Sequence, residues 1–360
     1  MTTDAGAASP PRLDRERSRL DGFLALCVAR FREYSREPEV IFWSFVFPVL
    51  LSIGLGLAFR NRPVEVLPIA IVEADAGDAV AGPLLRADSL KATRMSAEQA
   101  RAALRTGKVA LVVAAGSPVQ YEFDPSRSDA LVARARVDDA LQRAAGRADV
   151  VATRDLTRSE PGARYVDFLI PGILGMNLMS GGMWGVGFTL VDMRLKKLLR
   201  RLLATPMRRS DFLAAQMSTR LVFMFIEATF LLWFGHLALG VPLRGSWLAI
   251  YAAAGLGALA FAGLGLLVAA RPRRIEGVMG LMNAVMMPMF IVSGVFFSWE
   301  RFPEIVHPLI RALPLTALID TLRAIVLEGA TLASQALRLG LLAAWGAISF
   351  ALGLRFFRWD

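Results

Sequence analysis

The sequence predicts an all-α polytopic membrane protein with six transmembrane helices and a small α+β extracytoplasmic domain between helices 1 and 2. Three observations carry that expectation. The 360 residues are 55% hydrophobic and 20% charged, whereas soluble domains sit near about 45–50% and about 25%. The apolar residues gather into runs close to the ~20 needed to cross a hydrocarbon core of about 30 Å. One long stretch, 60–165, interrupts the series with ordinary mixed composition. Together these exclude a soluble enzyme, a disordered regulator and a disulfide-stapled domain. The single cysteine, Cys27, has no partner in the chain for a bridge.

Residues 1–12 lack periodicity and are expected as a disordered tail. Over 13–39, Leu20, Phe23, Leu24, Cys27, Phe31 and Tyr34 recur at helical spacing with Arg and Glu opposite. That pattern predicts an amphipathic helix in the headgroup plane, the alternative being a solvated juxtamembrane helix. The first span follows at 40–59. Bulky Phe and Trp flank it instead of a small-residue cleavage site, so it reads as an anchor. Within 60–165, PIAIVEA, KVALVVAAG and VQYEFD read as strands, and AEQARAALRTG and SDALVARARVDDALQRAAGR as helices. Asp75, Asp78 and Asp124 fall in turn contexts, and neither His nor Cys occurs there to build a metal or nucleophile site.

The second span is expected at 168–191. In the 192–220 loop, Leu195, Leu198, Leu199, Leu202 and Leu203 follow helical spacing, with Lys196, Lys197, Arg200 and Arg201 opposite, before Thr205-Pro206 breaks the pattern. This predicts a short amphipathic basic helix able to bind lipid headgroups or a protein. Further spans are expected at 221–241, 247–270, 277–297 and 333–357. Between the last two, 298–330 is apolar but interrupted by Pro303, Pro308 and Pro314, which fits two short helices entering and leaving the outer leaflet.

Charge placement orients the chain. Twenty Lys and Arg lie in the N-terminal tail, the second–third and fourth–fifth loops and the C-terminal tail, against five in the short segments of the other side. The excess places both termini in the cytoplasm, and makes the net charge of +10 a topology signal instead of a nucleic-acid signal.

No phosphate-binding G-x-x-x-x-G-K-[ST] loop occurs, and the two histidines, His236 and His307, are far apart. Movement of something across the membrane is therefore expected in place of chemistry within the chain. Glu227 is the one carboxylate inside a span. It reads either as part of a substrate path or helix-coupling charge pair, or as a structural partner of Arg220 or a neighbouring helix. Met279, Met282, Met286, Met287 and Met289 fit an adaptable lining or packing around Pro288. Gly181 and Gly185 are spaced for close helix contact.

The order of parts resembles the ABC type-2 exporter permeases with a large extracytoplasmic loop after the first span. The matching pieces are the N-terminal amphipathic helix, FWSFVFPVLLSIGLGLAF, PIAIVEAD, AEQARAALRTGKVALVVAAG, YVDFLIPGILGMNLMS, LLRRLLATPMRRSDFLAAQ and SGVFFSWERFPEIVHPLIRALPLTALIDTLRAIVLEG. They cover nearly the whole chain past residue 20. The resemblance implies a non-enzymatic subunit of the bacterial inner membrane that exports drug-like or lipid-like substrates. It implies a second permease subunit (a like copy or a paralogue) and a cytoplasmic ABC ATPase that carries ATP and Mg. It assigns ATPase coupling to Leu195, Leu198, Leu199, Leu202, Leu203, Thr205, Pro206, Arg208 and Arg209. It also lines the path with Met176, Asn177, Met179, Trp184, Asn283, Met286, Met287 and Phe290, beside Glu227. Two other functions fit the residues: a membrane-anchored receptor or assembly factor acting through its outer domain, and an ion-coupled secondary transporter using Glu227.

Overall fold

A computed structural model describes residues 26–32, 35–59, 66–72, 78–116, 118–148, 164–198, 209–272 and 274–356. The chain divides into two units, Asn61–Arg158 and the remainder. Among the described residues the larger unit holds six helices long and apolar enough to cross a membrane: Pro38–Ala58, Tyr165–Leu195, Asp211–Leu239, Trp247–Ala269, Ile275–Val292 and Ala333–Phe356. Together with the smaller α+β unit between the first two, this is the predicted fold class. Residues 26–32 and 35–36 are helical ahead of the first span, whose helix restarts at Pro38 after an extended Glu37. Residues 13–25 of the expected amphipathic helix lie outside the described residues.

The second and fourth spans form the centre of the bundle, with 78% and 72% of their apolar windows buried. The fourth span is apolar on all sides, as a helix surrounded by protein must be. Its glycines mark three neighbours. A Cβ at Gly257 would meet Leu318, one at Gly263 would meet Phe350 of the sixth span, and one at Gly265 would meet the backbone of Gly182 and Met183 in the second span. Small residues let helix backbones approach where water supplies no driving force between them.

After the fifth span come single 3-10 turns at Trp299–Arg301 and Glu304–Val306, then two helices. We label the pair α4 (His307–Ala312) and α5 (Pro314–Glu328). Eleven residues of α5 are buried, including Leu315, Leu318, Leu322 and Ile325. The apolar periodicity after Pro314 therefore belongs to a helix packed into the bundle.

The smaller unit is a four-stranded sheet in the order β2-β1-β3-β4: β1 Leu67–Val72, β2 Leu90–Met95, β3 Leu111–Ala114 and β4 Gln120–Glu122. β1 pairs in parallel with β2 and β3, and β4 is antiparallel to β3. Helices α1 (Asp78–Leu85), α2 (Ala97–Arg105) and α3 (Ser128–Ala144) complete it. Leu67, Ile69 and Ile71 pack with Ala133 and Val137 of α3, while Ala70 packs with Ala100 and Ala103 of α2. Strand β1 is thus covered on both faces, which is why it reads as a continuous apolar run. A capping box starts α2, with Ser96 Oγ accepting from Gln99 N and Gln99 Oε1 accepting from Ser96 N, both at 3.3 Å.

The expectation of three strands and two helices missed β2 and α1. Strand β2, LKATRM, sits at the sheet edge with Lys91 and Arg94 in it, so its composition carries no apolar alternation. Asp124 follows its turn reading: Oδ1 accepts from Ser126 N at 2.9 Å and Ser126 Oγ at 2.7 Å, and these bonds hold the carboxyl below its ordinary range. Asp78 opens α1, and Asp75 lies outside the described residues.

Candidate functional site

The third span, Arg209–Leu239, carries polar side chains through apolar surroundings. Gln216, Arg220 and Glu227 follow a spacing of four and then seven residues, which puts all three on one helical face. Each is buried, at 5%, 4% and 2% exposure. Arg220 Nη1 and Nη2 donate to Glu227 Oε1 and Oε2, both at 3.1 Å. A parallel two-point pairing of guanidinium and carboxylate is the strongest form of such a contact, and it makes the pair neutral as a unit.

The pair also reaches the second and first spans. Arg220 Nη2 lies 3.5 Å from the Asn177 carbonyl, and Asn177 Nδ2 donates to the Ser44 carbonyl at 3.2 Å. Gln216 Nε2 donates to the Gly185 carbonyl at 3.0 Å. Ser44 and Gly185 both lie in π-helical segments, Phe42–Val46 and Met183–Phe188. Such segments replace the i→i−4 ladder with i→i−5 bonds, and each carbonyl keeps a second lone pair that can take an outside donor. The antiparallel register is simple: Gly181 faces Arg220 and Gly185 faces Gln216. A Cβ at Gly181 would overlap the guanidinium itself. Of the glycine pair read from sequence as a helix contact, Gly181 makes room for the Arg220 guanidinium and Gly185 offers its carbonyl to Gln216.

Of the candidate path residues, the structure joins Asn177 and Glu227 through Arg220. Met176 and Met179 lie in the bundle core, and Trp184 packs on Phe188 with ring centres 5.7 Å apart. The fifth span divides its candidates. Met286 faces inward with Met282 and Met289, at 3%, 0% and 7% exposure. Asn283 and Met287 point outward, and Phe290 is half-buried. Ser44 and Gln216 were not singled out from sequence: Ser44 is a neutral polar residue inside a span, and Gln216 falls in the stretch read as the 192–220 loop, whereas the helix of the third span already begins at Arg209. The available signal was the shared four-residue spacing of Gly181/Gly185 and Gln216/Arg220 on helices of opposite direction.

The candidate coupling stretch departs from one continuous helix. The second span ends at Leu195, Lys196 caps it, and Lys197 takes φ 57, a left-handed turn that costs a side-chain-bearing residue energy. Leu195 and Leu198 therefore lie on opposite sides of a break in the helix. Leu195 and Leu198 are exposed, at 41% and 37%. Leu199, Leu202, Leu203, Thr205, Pro206 and Arg208 lie outside the described residues, and Arg209 opens the third-span helix. Arg194 anchors the stretch, donating to the Ala270 carbonyl at 3.3 Å and to the Pro272 carbonyl. At the other end of the third span, His236 Nδ1 contacts the Val241 carbonyl at 2.9 Å.

Comparison with known proteins places this arrangement. Residues 38–355 match the family described as ABC-2 family transporter protein. The chain is 23% identical over 170 residues to the probable multidrug ABC transporter permease YbhS of Escherichia coli K12, covering 47% of this chain and 45% of that protein. It is 27% identical over 176 residues to the linearmycin resistance permease protein LnrN of Bacillus subtilis 168, covering 49% and 46%. The chain thus spans about half the length of the curated relatives it matches.

Proposed function

We propose a function that starts from one fact: this chain belongs to the ABC-2 family of transporter proteins. In our reading it is the membrane-spanning permease subunit of an ATP-driven exporter. It carries hydrophobic or amphipathic substrates, drug-like or lipid-like, out of the inner leaflet or cytoplasm. ATP and Mg belong to a separate ABC ATPase chain, and a second permease subunit completes the assembly in the bacterial inner membrane. The match over 38–355, which takes in all six apolar helices, is the observation that carries this reading. The names of the two relatives, a multidrug permease and a linearmycin resistance permease, support export of foreign compounds. The basic excess supports cytoplasmic termini, which puts Leu195 and Leu198 on the ATPase side.

The ion-coupled alternative loses support from the geometry. Both oxygens of Glu227 are engaged by Arg220, so the carboxylate is a poor carrier for an exchanging ion.

Coupling is tested with the full chain co-expressed with a candidate ABC ATPase encoded beside it. The readout is ATP-dependent accumulation of the dye Hoechst 33342 in inside-out vesicles. Replacing Leu198 with Asp removes an apolar anchor worth about 1.5–3 kcal/mol when buried against a partner. Transport and co-purification of the ATPase should both fall, while membrane insertion is retained. The control, Lys196→Gln with Lys197→Gln, weakens lipid attraction by about 1 kcal/mol per charge and should affect coupling less. Full transport by Leu198→Asp together with loss in the lysine variant would make the stretch a lipid anchor.

A further inference from the structure

The chain leaving the fifth span lies against the first turns of the second. Gly294 takes φ 81, Tyr165 Oη donates to the Phe296 carbonyl at 3.1 Å, and a Cβ at Gly172 would collide with the Val295 carbonyl. One side chain from α5 closes this junction. Arg323 Nε and Nη2 donate to the Phe168 carbonyl at 3.2 and 3.1 Å, and Nη2 also donates to the Gly294 carbonyl. The guanidinium carbon stands 3.4 Å from the centre of the Phe168 ring. The Asp320 carboxylate is 4.0 Å away and also receives the Trp299 indole N–H at 3.2 Å, with Arg338 at 3.9 Å. Burial lowers the Arg323 guanidinium to about 10 and raises the Asp320 carboxyl.

As a plain brace this arrangement is costly, because an apolar side chain of similar length would fill the space without desolvating a charge. A guanidinium adds a directional hold on two carbonyls, one in the second span and one in the chain leaving the fifth. It stacks at the N-terminal end of the second span and caps the C-terminal end of the fifth, where a cation is favoured. The carbonyl and ring contacts of Arg323 depend on one side chain, so a shift of α5 releases them together, leaving the Tyr165–Phe296 bond as a remaining polar tie.

We infer that Arg323 is a positioning residue, a latch that holds the second and fifth spans together at this end of the bundle and lets go when the translocation path opens there. The inference rests on the permease reading above, but its test needs neither substrate nor ATPase, so the two fail separately. Val295 is fully buried beneath the latch, and Ala258 is fully buried in the middle of the fourth span. In the full chain carrying Cys27→Ser, reconstituted in phosphatidylethanolamine/phosphatidylglycerol nanodiscs, Val295→Cys reports lifting of the junction through its rate of reaction with a membrane-impermeant maleimide. Ala258→Cys reports general loosening. Arg323→Met should speed the reaction at position 295 about tenfold, as loss of charge-assisted hydrogen bonds allows, and leave position 258 unchanged. Arg323→Lys should behave nearly like Arg323→Met, because an ammonium cannot span both carbonyls and stack on the ring. An unchanged rate at 295, an equal rise at both positions, or restoration of the slow rate by lysine would each overturn the latch.

Discussion

Glu227 is the residue that composition alone brings forward, since a carboxylate inside a span needs a partner. Arg220, two turns earlier on the same helix, is that partner, and the chain spacing made it one of two alternatives. What sequence could not supply is the chain of contacts onward to Asn177 and Ser44, because hydrogen bonds to backbone carbonyls leave no trace in residue type. The pair makes a direct prediction. Arg220→Met or Glu227→Met alone strands a buried charge and should destabilise the protein by about 3–5 kcal/mol. The double methionine variant should recover most of that loss, giving a positive coupling in a double-mutant cycle. Unfolding in mixed SDS and dodecylmaltoside micelles measures all three. Additive losses would mean that the two side chains act independently.

Among the elements, the second span concentrates the close approaches. A Cβ at Gly182 would press on the Phe261 and Ala262 backbone, which cannot rotate away as a side chain can. Gly182→Ala should therefore cost about 1–3 kcal/mol through overpacking. A Cβ at Gly54, in the first span, would meet no atom of the described residues within 4 Å. Gly54→Ala should be neutral or stabilise by up to about 1 kcal/mol, because alanine favours the helix. The same SDS titration compares the two, and similar losses at both positions would refute the packing account. These differences were not legible in sequence, where both residues are helix glycines among apolar neighbours. The π-helical segments were equally hidden, since no composition marks them. Strand β1 was legible because it is apolar on both faces, and β2 was not, because its place at the edge is set by pairing with β1 and tolerates Lys91 and Arg94.

For the whole molecule, the six spans were legible because lipid imposes a length and a composition that few other constraints imitate. The candidate site was legible only in part: the residues that stand out by chemistry were found, and the way they meet depends on register between helices. Sidedness yields a further prediction, from the twenty-to-five basic bias. In a Cys27→Ser background in intact cells, Asp88→Cys should react with an impermeant thiol reagent and Arg271→Cys should not. Both positions are exposed, so the reverse pattern would invert the topology. The unequal coverage of the first two spans bears on how such a chain is made. The first has a mean hydropathy of 2.2 with 11% of its window buried, and the second 1.2 with 78% buried. The first can partition into lipid by itself as soon as it leaves the ribosome. The second emerges before its main neighbour, the fourth, has been synthesised. During that interval its hold on the bilayer is weak, and biogenesis must keep it beside the insertion machinery or a chaperone until the later helices arrive to enclose it.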